Sequence, residues 1–145
     1  MADTWDVKVL TLPIADPGGD NKQIYLLRAP STGQGGGLTI LSASAVQAGT
    51  AALSHGVGGT TFTYALHKYT NATNPAVYGT IAAAIGGTAQ GWGAGRVQEF
   101  TIDTAGSMNY LSGGEWLVLQ YNEVNAGNPV LNSVTVAYIQ GRGAA

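Results

Sequence analysis

Short apolar runs, broken by Gly, Pro, Asn and Asp, follow one another along the whole chain. That is the pattern of β-strands joined by turns. The clearest run is TTFTYALHKYT, residues 60–70, in which Phe62, Tyr64 and Leu66 alternate with Thr61, Thr63 and His67. Alternation sets the first three on one face of a strand and the others on the opposite face. Seven further runs read the same way: WDVKVLTL, KQIYLLRA, LTILSASAVQ, AVYGTIAAAI, RVQEFTI, GGEWLVLQY and SVTVAYIQ. In AVYGTIAAAI the pattern predicts Val77, Ile81 and Ile85 on one side, and in SVTVAYIQ it puts Val134, Val136 and Tyr138 together. A short helix around Ala43 to Leu53 is the one helical expectation, because Ala is the best helix former. No run sustains a 3.6-residue period, so the chain reads as all-β: an eight-stranded jelly roll, another β-sandwich or a small barrel.

The run GGEWLVLQY, residues 113–121, departs from the pattern of a strand with one wet face. Leu117, Leu119 and Tyr121 share one side, and Trp116 and Val118 share the other. An antiparallel sheet in a small monomer usually keeps one face polar. Both faces of this strand are apolar. The doubling recurs where Tyr25 and Leu27 oppose Leu26, where Leu38 and Ile40 oppose Leu41, and where Trp5, Val7 and Val9 oppose Leu10 and Leu12. A sheet apolar on both sides needs a cover, either a loop, a terminal arm or another subunit. The loops are small and Gly-rich, so a neighbouring subunit is the economical expectation. It places an intersubunit face on Trp5, Trp116 and Val118, with residues 1–12 as an arm able to exchange between subunits.

Composition strengthens the expectation of assembly. Only 10% of the 145 residues are charged, against about 25% in an average soluble domain. Such a surface suits a buried position better than life as a free monomer. The length fits one domain spanning residues 1–145. Six basic residues are scattered singly, which argues against a nucleic-acid partner, since neutralising phosphates takes clustered Lys and Arg. The chain has no Cys, which removes disulfides, thiolate nucleophiles and Cys-ligated metals. The start MADTWDVKV has neither a basic segment nor an apolar run, so neither a signal peptide nor a membrane span is expected.

Candidate chemistry is sparse. DTAG at 103–106 matches an element of small GTPases, but no Gly-Lys pair is present for the phosphate loop that chemistry needs. An Asp closing a Gly-containing turn is the expected reading. His55 and His67 are the only histidines and lack carboxylates at ligand spacing, so no metal site is expected. Asp103, Glu99, Glu115 and Glu123 form no evident acid–base pair. Neither an enzyme nor a cofactor is expected. In GWGAGR, residues 91–96, Trp92 sits among glycines. It is either a partner contact, with Arg96 beside it, or a plug for the end of the sandwich.

With its eight short strands, absent Cys, and loops such as STGQGGG and GTAQGWGAG, the chain resembles the small all-β structural proteins of tailed-bacteriophage virions. The closing LSGGEWLVLQYNEVNAGNPVLNSVTVAYIQGR adds to this likeness. It is most similar to capsid decoration (cement) proteins of the jelly-roll kind. That resemblance implies a virion protein, assembled in the host cytoplasm, that binds the outside of an icosahedral shell. The implied partners are the major capsid protein and further copies of the chain, often as a homotrimer. The competing reading is a carbohydrate- or receptor-binding sandwich module of a fibre or surface protein, using exposed Trp and Tyr against sugar rings.

Overall fold

The computed structural model of the protein describes residues 6–15, 19–31, 36–47, 61–86, 97–124 and 132–141. Nine strands lie in these residues: β1 (Lys8–Ile14), β2 (Lys22–Arg28), β3 (Leu38–Gln47), β4 (Thr61–Tyr69), β5 (Val77–Gly86), β6 (Val97–Glu99), β7 (Tyr110–Leu111), β8 (Trp116–Val124) and β9 (Asn132–Gln140). Eight of them fall on the eight apolar runs. The ninth, β7, is a two-residue segment too short to produce any periodicity. The helix expected from Ala43 does not form. Ala43–Gln47 belong to β3, where Ala43 and Ala45 enter the core opposite Val136 and Val134. Their burial beneath a facing sheet overrides helix propensity. The rest of that predicted helix lies outside the described residues.

The strands make two antiparallel sheets, one ordered β1-β9-β3-β6 with β7 beside β3, the other β2-β8-β4-β5. The pairs β1–β9, β2–β8, β3–β6 and β4–β5 nest one inside the next. A long hairpin folded over on itself has this nesting, and the β9–β3 and β8–β4 pairings complete the two sheets. The topology is that of a jelly roll.

Inward residues of both sheets form one core. Phe62, Tyr64 and Leu66 from β4 meet Leu117, Leu119 and Tyr121 from β8 and Val134 and Val136 from β9. Each fully buried side chain of this size contributes roughly 1.5–3 kcal/mol. Tyr64 and Tyr121 keep partners for their hydroxyls. Asn132 Nδ2 donates to the Tyr64 hydroxyl at 2.8 Å, and the Tyr121 hydroxyl donates to Glu123 Oε2 at 2.7 Å.

Simple alternation fails on β5. The β4–β5 ladder shifts register at three places, so Ile81 and Ile85 are buried while Val77 turns outward and is exposed. A bulge adds a residue and moves everything beyond it to the other face. On β3 a similar shift falls between Ile40 and Ser42: Leu41 faces outward, as alternation places it, but Ser42 is exposed too, and Ala43 and Ala45 turn into the core. Asn109 holds that bulge, with its backbone C=O accepting from Ile40 N–H and its Nδ2 donating to Ile40 C=O. At Gly37 a Cβ would strike the Leu111 carbonyl and the Tyr110 ring, so β7 can dock only on a glycine there. Lys68 spans the sandwich at this end, its Nζ donating to the Tyr110 carbonyl at 2.8 Å. Burial lowers the pKa of this ammonium, and nearby Glu115 opposes the shift.

Candidate interaction site on the outer faces of the sandwich

The outer face of the β2-β8-β4-β5 sheet carries the second apolar side of β8. Val118 pairs with Tyr25 on β2 and with His67 on β4, and it is 0% exposed. Its cover comes from within the chain. Tyr25 and Tyr69 stand on strands that flank β8, yet their rings meet edge-to-face with centroids 5.7 Å apart. Tyr25 also meets Trp116 edge-to-face at 5.1 Å. These two contacts build an aromatic roof across β8, each worth about 0.5–1.5 kcal/mol beyond the area it buries. The Arg28 guanidinium lies 5.1 Å from the centre of the Trp116 ring, and its Nε donates to the Gly114 carbonyl at 3.0 Å. Trp116 is half-buried and Tyr25 is exposed.

His67 is partly buried, its ring stacked on Tyr69 at 6.5 Å. Its Nδ1 is buried with no hydrogen-bond partner among the described residues. Burial lowers the imidazole pKa. Burial, followed by the charge of Tyr25, raises that of the Tyr69 phenol.

Farther along the same face the chemistry changes to amides. Gln23 pairs with Gln120 across β2 and β8. Gln23 Nε2 donates to Gln120 Oε1 at 2.9 Å and to Asn21 Oδ1 at 3.1 Å. Gln120 Nε2 in turn donates to Asn21 Oδ1 at 2.9 Å and to Asn122 Oδ1 at 2.8 Å. Asn21 holds a positive φ of 55°, a conformation Asn tolerates better than most residues.

The outer face of the other sheet has no such construction. Val9 pairs with Ala137, Thr11 with Thr135, and Val46 with Val97. The two Thr hydroxyls lie 3.0 Å apart. Val9 and Val97 are exposed. Small and β-branched side chains leave this face flat and almost free of charge.

Trp5, Trp92 and Arg96 lie outside the described residues. Of the arm at residues 1–12, Lys8–Leu12 pair with β9 of the same chain. Trp116 and Val118 do share a face, but Val118 has no exposed surface to offer a partner. Sequence reasoning passed over the amide network and Tyr69, because only strand pairing brings Asn21, Gln23, Gln120 and Asn122 together. Asp103 does close its turn, with Oδ1 accepting from Ala105 N–H at 2.9 Å. No group of three or more His, Asp or Glu residues able to hold a metal occurs among the described residues.

The class defined here is a small jelly-roll domain whose two outer faces carry little charge among the described residues. No protein-family model matches the chain, and no curated protein sequence does. Among solved structures, it shares its fold with a chain of the capsid of Ralstonia phage GP4. The likeness has a TM-score of 0.58 at 17% identity, over 99% of this chain and 90% of that one. A chain in the structure of infectious bursal disease virus, Gx strain, aligns with a TM-score of 0.43 at 16% identity, over 99% of this chain and 35% of that one.

Proposed function

We propose that this protein is a virion structural component that binds the outer surface of an icosahedral phage capsid and stabilises it. The observation that carries this reading is the end-to-end likeness to a chain of the Ralstonia phage GP4 capsid. The alignment spans 99% of this chain and 90% of that one, so it covers the whole sandwich and not one sheet of it. The low charge supports the same reading, since interface cores are depleted in charged residues. The flat β1-β9-β3-β6 face, with Val9, Thr11, Val46 and Val97 outward, is the docking face. Its partner is the major capsid protein, and the protein acts as a homotrimer.

Stabilisation would follow from mass action. A protein that binds only the assembled shell lowers the free energy of that shell alone. Many copies, each linked to others in a trimer, reach high avidity through weak single contacts. The test mixes purified protein with undecorated shells of its phage, sediments them, and melts the pellet. Stoichiometric co-sedimentation and a raised shell melting temperature are expected. Val9→Lys with Val97→Lys should abolish both while leaving the free protein folded. Free protein remaining in the supernatant at saturating concentration overturns the reading. A monomer by light scattering overturns the trimer.

A further inference from the structure

The outer face of the β2-β8-β4-β5 sheet combines features that the shell-binding reading does not use. From the structure we infer that it is a saccharide-binding site for a neutral oligosaccharide. Along the central strand β8, Trp116 is part of the aromatic roof and Val118 lies beneath it, while Gln120 and Asn122 belong to the amide network. A protein-docking face concentrates apolar residues at its centre and polar ones at its rim. Here an aromatic half and an amide half lie side by side along one strand. That division matches a sugar, whose C–H face packs on an aromatic ring while its hydroxyls at the edge both give and take hydrogen bonds.

The groups that could meet such a ligand are held in place. Tyr25 is exposed at 42%, yet its ring is fixed by Trp116 and Tyr69 on two sides. Ordered aromatics give contact area at little entropic cost. In the network, the side-chain bonds use an Nε2 of Gln23 or Gln120 as donor and an oxygen of Asn21, Gln120 or Asn122 as acceptor. That leaves Gln23 Oε1 and Asn122 Nδ2, an acceptor and a donor on exposed residues, for hydroxyls of a ligand. The fixed bonds behind them set where those two atoms point.

Charge narrows the ligand class. Among the described residues Arg28 is the cation of this face, and it is engaged by the Trp116 ring and the Gly114 carbonyl. Burial favours the neutral form of His67. An anionic polymer would require clustered free cations. The face runs about 20 Å from Trp116 to Asn122 at roughly 3.4 Å per residue, which suits a short oligosaccharide better than one ring.

The test is affinity electrophoresis of the full chain through gels containing amylose, laminarin, dextran or galactan, with heparin as the charged comparison. Retardation by at least one neutral polysaccharide is expected, weakened at least tenfold by Tyr25→Ala and by Gln23→Ala. Lys8→Ala, on the other sheet, should leave it unchanged. Circular dichroism melts establish that each variant is folded. Should Tyr25→Ala unfold, the exposed Gln23 still decides the matter. Retardation by none of the neutral polymers, by heparin alone, or to an extent that Tyr25→Ala and Gln23→Ala leave untouched overturns the inference. The experiment contains no shells, so its outcome is independent of the co-sedimentation result.

Discussion

Val9 and Val118 are the same residue type, each on an outer face of its sheet, yet one is 64% exposed and the other 0%. Val9 sits on an edge strand beside Ala137, with nothing across its other flank among the described residues. Val118 sits on a strand with a neighbour on each side, between Tyr25 and His67, under rings that meet above it. An apolar residue on an outer face therefore has two meanings in this molecule. On the β2-β8-β4-β5 sheet it is the floor of a structure the chain builds for itself. On the β1-β9-β3-β6 sheet it is surface left open. The doubly apolar β8 is thus explained without a second subunit, while the apolar outer residues of β1 are not.

Placing the same carboxylate at both positions tests this comparison most strongly. Val118→Asp should destabilise the folded chain by about 3 kcal/mol or more, because a polar group would be buried without a partner. Val9→Asp should change stability by less than about 0.5 kcal/mol, as exposed substitutions do. Urea denaturation of both variants measures the difference, and equal losses would mean the two faces are not distinct. Removing the roof is the next largest step. Tyr25→Ala gives up two edge-to-face contacts and should cost about 1–2 kcal/mol, with Val118 becoming accessible to solvent.

Acidification sharpens the comparison further. Burial sets the folded-state pKa of His67 below its ordinary value of 6.5. As pH falls, the unfolded chain takes up the proton first, so stability declines once pH passes below 6.5. It levels off after the folded state has also been protonated. Above 6.5 this residue contributes no slope. Denaturation midpoints between pH 8 and 4.5 should show the decline in the parent chain and a smaller one in His67→Gln. A smaller effect than loss of the roof is expected for Arg28→Gln, which removes a cation from over the half-buried Trp116 ring and should cost less than about 1 kcal/mol. A larger loss would mean that Arg28 holds Trp116 and the Gly114 turn as a unit.

Much of the architecture was legible along the chain. Runs at period two located eight strands, and Phe62, Tyr64 and Leu66, like Val134 and Val136, were placed on core faces that the structure confirms. Alternation is a local property, so local sequence reports it. It failed at Val77 and, on β3, beyond Leu41, where bulges shift the face. A bulge is fixed by the partner strand, and by contacts such as Asn109 with Ile40, not by the run itself. The short β7 exists because Gly37 lets its backbone approach β3.

The sequence by itself determined a low-charge, Cys-free, all-β chain and which side chains face inward along most strands, because composition and side-chain alternation need no partner. Only the tertiary structure decided which outward residues stay open. Tyr25, Tyr69 and Trp116 stand far apart in the chain, as do Asn21, Gln23, Gln120 and Asn122. They become a roof and a network only when β2, β8 and β4 lie side by side, because cross-strand register alone brings their side chains within contact distance.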